Sequence, residues 1–528
     1  MTERLRGTPA WVVTALLGVV YLIIAPSSPD LAAASYRSNL FASVGFSIWD
    51  NSWYGGHHLL AYSVFAPGLG ALIGTRVLVA ISLTAAAALF AIFVDGVFPP
   101  RATCIAALWL AVGLGVQMLS SRVAFDLGLA IGLGSLLATR RRHMWAALVL
   151  AAATSLASPV DGAFLAMAYV AWGLGGSSRV RAGALTAAAL LPIALIEVAF
   201  PEGGTQPFAV SAFWPALLGV VVLAVLVPPE QRVLRIGVAL YAVALLASYV
   251  VPSALGANSD RLGAIFAGPV AACVLIESSP ERRRRMILLV LAPFLLYWQV
   301  NEPLGDFQAA VSDPGVSASY YAPLLGELHA LGVGYGARPA RIEVVPLATH
   351  WEARWVAPHV MLARGWERQL DDLRNPLFYE ESKPLTAQRY QQWLSETAVS
   401  YVALPDAKVD YSAEEEAAML RSSPPVYLRE VWRSQHWRLF QVLGAQPLAQ
   451  PPAVVSDVGV ESVTMRVPAA GSYTVRVRFT PYWKLVPGGC VSEAPGGWTR
   501  VSARRAGVLQ LQISFSLSRM LSHGPRCS

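Results

Sequence analysis

The sequence predicts an α-helical polytopic membrane domain of about eleven spans, followed by an extracytoplasmic α/β domain and a small C-terminal β-sandwich. Three observations predict it. The 528-residue chain is 55% hydrophobic and only 14% charged, where a soluble protein carries about 25% charged residues. Apolar runs follow one another through the first 300 residues, and alternation takes over toward the end. Arginines cluster between the runs in a regular way: Arg4 and Arg6, Arg101, Arg140 to Arg142, Arg179 and Arg181, Arg232 and Arg235, and Arg282 to Arg285. The loops on the other side hold few or none. Basic residues stay cytoplasmic, so the alternation gives an N-terminus inside and a C-terminal half outside.

The apolar runs fall near 9–25, 76–97, 102–119, 122–139, 143–157, 160–175, 182–200, 213–228, 234–252, 261–277 and 286–300. The first has a basic start but no small-residue cleavage site, so it reads as a retained anchor. The stretch 59–74 (LLAYSVFAPGLGALIG) is apolar too. Were it a span, every later arginine cluster would face outward. It therefore reads as a re-entrant or interfacial element of the outer loop 26–75, broken at Pro67, with Gly68, Gly70 and Gly74 allowing close packing. The net charge of +7 belongs largely to the loop arginines. No basic face is evident on the soluble part, which excludes nucleic acid as a partner. Lysine occurs only at Lys383, Lys408 and Lys484. That scarcity, with abundant Ala, Val, Gly and Arg, suggests a GC-rich bacterial genome and a place in the bacterial cell membrane.

Composition divides the chain into a membrane domain at 1–300, an α/β domain at 301–444 and a β-sandwich-like domain at 445–528. IEVVPL (342–347) and YVAL (401–404) read as strands, 387–397 and 413–420 as helices, and 431–442 as one alternating strand. Beyond the proline-rich connector 445–453, VTMRV, YTVRVRF and LQLQISF alternate as strands of an antiparallel sandwich. Of the 4 cysteines, Cys104 and Cys273 lie in apolar runs. Outside the cytoplasm Cys490 and Cys527 can form a disulfide that ties down the chain end.

The first outer loop holds the most unusual chemistry. Asp30 follows the first span, then come Tyr36, Arg37 and Asn39. Trp49, Asp50, Asn51, Trp53, Tyr54, His57 and His58 crowd beside the 59–74 element. Aromatic residues gather at membrane interfaces whatever the function, and Asp30 would also suit the start of a helix in LAAASYRSNLF. An acid beside an outward cavity, however, points to catalysis. Adjacent histidines project in different directions and have no Cys or further His nearby, a poor metal set. Arg122 and Asp126 open one span four residues apart, a spacing that permits an ion pair. Asp161 lies at another outer turn, and Asn258, Asp260 and Arg261 at a third. Arg122 and Arg261 could hold a phosphate. Farther on, THWEARWVAPHVMLARGWERQLDD mixes His350, Trp351, Glu352 and Trp355 with basic residues. Such a mixture suits a sugar face or a surface resting on lipid.

This layout resembles the GT-C glycosyltransferases over about residues 1–300: an acidic residue just after the first span, a helical or re-entrant first loop, and an exported C-terminal domain. WDNSWYGGHH with YSVFAP is similar to the aromatic, glycine-containing first-loop segment of such proteins. The resemblance implies transfer of a sugar from a polyprenyl-phosphate donor to an envelope glycan or lipid acceptor at the outer face. Asp30 would be the general base and Asp50 a second catalytic acid. Arg37, Trp53, Tyr54, His57, His58, Arg122, Asp126, Arg261, His350 and Glu352 would contact substrate. No second acidic pair of the DxD type stands in the sequence, so no cofactor is assigned and a divalent metal stays open. The competing expectation is a non-enzymatic envelope transporter, assembly factor or scaffold with an exported glycan- or protein-binding domain.

Overall fold

A computed structural model describes residues 9–176, 178–277, 282–336, 338–380, 382–521 and 526–527, the side chains of 277, 282–285 and 526 aside. Arg4 and Arg6 lie outside the described residues. The chain divides into two compact units. The first comprises Met1–Ser43 and Leu60–Val311; the second comprises Val44–Leu59 and Ser312–Ser528.

The first unit is helical. Its helices are α1 (Ala10–Ile24), α2 (Pro29–Val44), α3 (Ala66–Ile73), α4 (Thr75–Val94), α5 (Pro100–Gln117), α6 (Val123–Arg140), α7 (Met144–Ala157), α8 (Pro159–Leu174), α9 (Arg179–Ala199), α10 (Val210–Leu226), α11 (Arg232–Val250), α12 (Arg261–Glu277) and α13 (Arg282–Ser312). Each of the eleven apolar runs read as spans is largely helical, whereas in 59–74 the helix covers only Ala66–Ile73. Among the described residues, seven helices are long and apolar enough to cross a membrane, or eight if the bent pair α1 and α2 is one span. This makes the chain a multi-pass membrane protein. Three further apolar helices, α7, α8 and α10, are shorter, so a count of eleven rests on more than length.

Helix α6 packs against α4 and α7, α1 against α4 and α5, α12 against α5, and α8 against α9 and α11. Small residues line these contacts: Ala147 and Ala151 of α7 and Ala189 of α9 are fully buried. Side chains such as Leu16, Ile23, Val180 and Val225 stand on the outside, as a lipid-facing surface requires. At the end of α4, Arg140 donates to the carbonyls of Ile92 at 3.0 Å and Asp95 at 2.6 Å. A cation on the last, unsatisfied carbonyls of a helix is favourable.

Two local features differ from expectation. Pro67 does not break the 59–74 element. It stands in the first turn of α3, where its missing N–H costs no hydrogen bond. A Cβ at Gly68 would meet the Phe41 ring and one at Gly70 the Ser38 hydroxyl, so α3 lies close on α2. The last membrane helix also does not stop at 300. It continues through Pro303 to Ser312, and the compact unit ends at Val311.

The second unit contains fifteen strands among the described residues. The first two, β1 (Trp49–Asp50) and β2 (His57–His58), form an antiparallel ribbon. A mixed five-stranded sheet follows, from β3 (Arg341–Val344), β4 (Met361–Leu362), β5 (Val399–Pro405), β6 (Leu428–Arg433) and β7 (Trp437–Val442), in the order β4-β3-β5-β7-β6. Strand β3 runs parallel to β4 and β5, while β7 runs antiparallel to β5 and β6. The expected single strand at 431–442 is thus a hairpin. Its turn closes where Ser434 N–H donates to the Trp437 carbonyl at 2.8 Å. Helices α14 (Ala318–Ala330), α15 (Glu352–Trp355), α16 (Arg368–Arg374), α17 (Ala387–Glu396) and α18 (Glu414–Ser422) accompany this sheet. Tyr390 and Leu394 of α17 and Ala417 and Leu420 of α18 bury against Val402, Leu404 and Phe440.

Two four-stranded antiparallel sheets complete the unit. Their strands are β8 (Val454–Gly459), β9 (Ser462–Val467), β10 (Gly471–Arg478), β11 (Trp483–Val486), β12 (Gly489–Ala494), β13 (Trp498–Ala503), β14 (Gly507–Ile513) and β15 (Arg526–Cys527). One sheet orders β10-β13-β12-β15, the other β11-β14-β9-β8. Cys490 pairs with Cys527 across β12 and β15 and the two are disulfide-bonded.

Candidate functional site

Charged groups of the first unit gather around Arg122. Its backbone (φ −79°, ψ 67°) is that of a residue just outside α6, so the guanidinium is free of the i, i+4 geometry expected with Asp126. It turns instead to other helices. Its Nε donates to Asp30 Oδ2 at 3.1 Å, and its Nη2 contacts Glu302 and lies 4.0 Å from Asp306. The Arg122 side chain is 6% exposed, while Asp30, Asp306 and Glu302 are 33%, 25% and 57% exposed. One buried cation therefore holds a ring of partly exposed carboxylates.

Local sequence explains how each acid arrives. Ala25 adopts a left-handed conformation (φ 49°) after α1, and α2 departs at 78°. Asp30 then falls in the first turn of α2, where a carboxylate meets the unsatisfied N–H groups of a helix start. Trp298, Glu302 and Asp306 are four residues apart on α13 and share one face. Ser120 donates to Asp306 Oδ2 at 2.6 Å. Trp298 Nε1 donates to Asp260 Oδ1 at 2.9 Å and Oδ2 at 3.2 Å.

Arg261 opens α12 beside this ring. The Tyr241 hydroxyl accepts from Gly263 N–H at 2.9 Å and donates to the Ser259 carbonyl at 2.9 Å, which fixes the helix start. The Arg261 guanidinium lies 5.3 Å from the Phe125 ring. It is within electrostatic reach of Arg122, Asp30, Glu302 and Tyr62, yet makes no ion pair among the described residues. Asp126 is fully buried, with no hydrogen bond to either carboxylate oxygen among the described residues, and Asp161 is 5% exposed. Arg37 is buried with its guanidinium 4.2 Å from the Tyr62 ring.

Other residues singled out from sequence belong to the second unit. Asp50 is fully buried and its Oδ1 accepts from Ser52 N–H at 2.9 Å. Trp53 stacks on His57 with centroids 5.4 Å apart. The Tyr54 hydroxyl accepts from Glu367 N–H at 3.0 Å, and His58 Nε2 pairs with Thr480 Oγ1 at 3.1 Å. The turn needs Gly56 (φ +122°), where a Cβ would strike the Trp49 ring. This ribbon is a packed element, and its histidines are 0% and 5% exposed. Among the described residues no three of His, Cys, Asp and Glu are arranged to hold a metal ion.

His350 and Glu352 are likewise buried. His350 stacks on Trp366 at 3.6 Å and bridges Glu352 Oε1 at 3.3 Å and Asp410 Oδ2 at 3.2 Å. Arg368 donates to both Asp410 oxygens at 2.9 and 2.7 Å. Burial opposes the imidazolium, but Asp410 and Glu352 overcome it and hold His350 above its ordinary value. The aromatic run around 350 is therefore an internal network and not an exposed sugar face.

Asp30, Arg122, Asp126 and Arg261, all named from sequence, lie in the first unit's charged cluster. Glu302 and Asp306 were missed because 301 onward was assigned to the soluble part. Their four-residue spacing was the available signal.

Among solved structures the chain is similar to arabinofuranosyltransferase AftD from Mycobacteria (16% identity, 88% of this chain and 42% of that one, TM-score 0.44). It is also similar to the archaeal oligosaccharyltransferase AglB from Archaeoglobus fulgidus in complex with an inhibitory peptide and a dolichol-phosphate (13% identity, 75% of this chain and 69% of that one, TM-score 0.45). The apo form of that oligosaccharyltransferase matches at 13% identity over 77% of this chain and 72% of that one, with TM-score 0.45. The chain spans less than half the length of the first of these. They are the GT-C type of membrane glycosyltransferase that the sequence layout resembles. At such identity and TM-score the likeness transfers no residue role. No family model matches the chain, and no curated protein is similar to it.

Proposed function

We propose that the chain is a membrane glycosyltransferase. It moves a sugar from a polyprenyl-phosphate donor to an envelope glycan or lipid acceptor, with Asp30 as general base. The observation that carries the reading is the pairing of two opposite charges in one helical unit. Asp30 is oriented through Oδ2 by Arg122 while Oδ1 has no hydrogen bond among the described residues. Arg261 stands nearby and makes no ion pair with a carboxylate among the described residues.

An acceptor hydroxyl is a weak nucleophile at neutral pH and needs a base. In the proposed step its oxygen attacks the sugar's anomeric carbon and its proton passes to Asp30 Oδ1. The bond from that carbon to the phosphate oxygen breaks, and the electron pair leaves on the phosphate. In this reading Arg261 meets the charge that develops there, and a fixed cation needs no reorganisation at that moment. A single displacement inverts the anomeric centre and needs no covalent enzyme intermediate. The proposed step is written without a metal. The same reading takes all eleven apolar helices as spans. It also takes the second unit, with its two C-terminal sheets as a sandwich, as lying outside the bacterial cytoplasmic membrane.

Asp30→Asn should lower transfer from a polyprenyl-phosphate sugar in membrane vesicles by about 10²–10⁴-fold, at unchanged protein level. Arg261→Gln should lower it by about 10²–10³-fold. Unchanged transfer and unchanged envelope glycans in Asp30→Asn would end the transferase reading.

A further inference from the structure

We propose that a cavity at one end of the five-stranded sheet binds a neutral oligosaccharide, giving the second unit a glycan-docking subsite of its own. Naming that glycan as the acceptor rests on the transferase reading; the chemistry of the cavity does not.

The cavity measures about 540 Å³, within the usual range for a small-ligand site. It opens where β5 begins and β7 ends, and the connector 445–453 walls it. Tyr401 and Gln441 lie opposite each other in the β5–β7 pair, flanked by the pair Val402 and Phe440 of the core cluster. Side chains alternate along a strand, so the first pair faces away from that cluster. Gln441 Oε1 accepts from Arg429, which leaves its amide hydrogens available. Arg338, Ser400, Tyr401 and Gln446 also line the space, and their side chains make no hydrogen bond or ion pair among the described residues.

Ligand classes can be weighed against this lining. It contains no carboxylate, so a cation gains nothing there. A purely apolar ligand would shut polar groups, among them a guanidinium, the Tyr401 hydroxyl and two amides, away from water, at about 1–3 kcal/mol for each unsatisfied group. An extended peptide adds to a sheet through a free strand edge, but β5 and β7 each have a neighbour on both sides. A neutral oligosaccharide answers both halves of the lining. Its hydroxyls donate and accept to amide, hydroxyl and planar guanidinium groups. Its apolar ring faces cover Tyr401, Pro447 and Pro451.

The test uses the full-length protein in detergent. A mixture of neutral oligosaccharides of two to four hexose or pentose units is screened by saturation-transfer NMR, and the strongest binder is titrated. Tyr401→Ala and Gln446→Ala should each weaken that binder at least tenfold without moving the melting midpoint. Should Tyr401→Ala disturb the strand, Gln446→Ala decides, since Gln446 lies outside any strand. Asp30→Asn should bind as tightly as the unmodified protein, so failure of catalysis and failure of docking read out separately. No binding by the unmodified protein, or unweakened binding by Gln446→Ala, overturns the proposal.

Discussion

Arg122 sets the electrostatics of the helical unit, and Glu416 sets a different kind of balance in the second. Around Arg122 the carboxylates are partly exposed. Breaking that cluster should therefore cost less than the roughly 3–5 kcal/mol of a fully buried pair. Glu343 and Glu416 have no such relief, being fully buried. Burial pushes both carboxyls up, Glu416 to about 7, with Arg364 pulling the other way. A carboxyl that binds its proton more tightly when folded stabilises the fold fully below its unfolded value, near pH 4.3. That stability is lost as pH rises through the folded value. His350, held above its ordinary value, adds a loss in the same direction. The melting midpoint should fall between pH 5 and pH 8. In Glu416→Gln, which keeps an acceptor for the Tyr390 hydroxyl, the fall should be shallower. Parallel profiles for the two proteins would refute the assignment.

At the level of elements, the start of α12 is the piece that places Arg261. Gly263 lets the helix approach Trp298, whose ring would lie 2.4 Å from an added Cβ, with the Tyr241 hydroxyl at 2.8 Å. Gly263→Val should destabilise the protein by about 1–3 kcal/mol through overpacking, read as a lower melting midpoint in detergent. Leu72→Ala, at a side chain 79% exposed on α3, should leave the midpoint unchanged. Helices were the most legible elements, because apolar length and loop arginines both report on them. Helix ends were less so: α13 carries charged Glu302 and Asp306 and a proline, all of which look like loop. The hairpin β6–β7 was read as one strand because alternation persists across its short turn. Candidate residues were legible where an ion sits at the mouth of an apolar run, as with Asp30, Arg122 and Arg261. Where polar and aromatic residues crowd together, as in the WDNSWYGGHH ribbon and at His350 and Glu352, the side chains are buried in packed structure. Sequence gives the density of such groups but not whether they face one another.

Across the whole molecule, the chain passes between its two units three times, because Val44–Leu59 belongs with the C-terminal part. The ribbon is held there by bonds of great sequence separation. Ile48 N–H donates to Glu461 Oε1 at 2.7 Å across 413 residues. Leu362 N–H donates to the Ser52 carbonyl at 2.8 Å and Arg478 N–H to the Gly55 carbonyl at 2.7 Å. Trp49 meets Trp483 edge to face. Residues 312–528 made alone should therefore be poorly soluble. Adding a synthetic peptide of residues 44–59 should restore a cooperative unfolding transition, detected by tryptophan fluorescence. A fragment that folds equally well without the peptide would refute this.

That seating ties the order of synthesis to the order of completion. The ribbon leaves the ribosome hundreds of residues before Glu461, Arg478 and Trp483 exist to receive it. Any chain that terminates early carries an orphaned aromatic loop between its first helices. A product missing its tail thus leaves the aromatic side chains of that loop, Trp49 among them, without the surface they pack on.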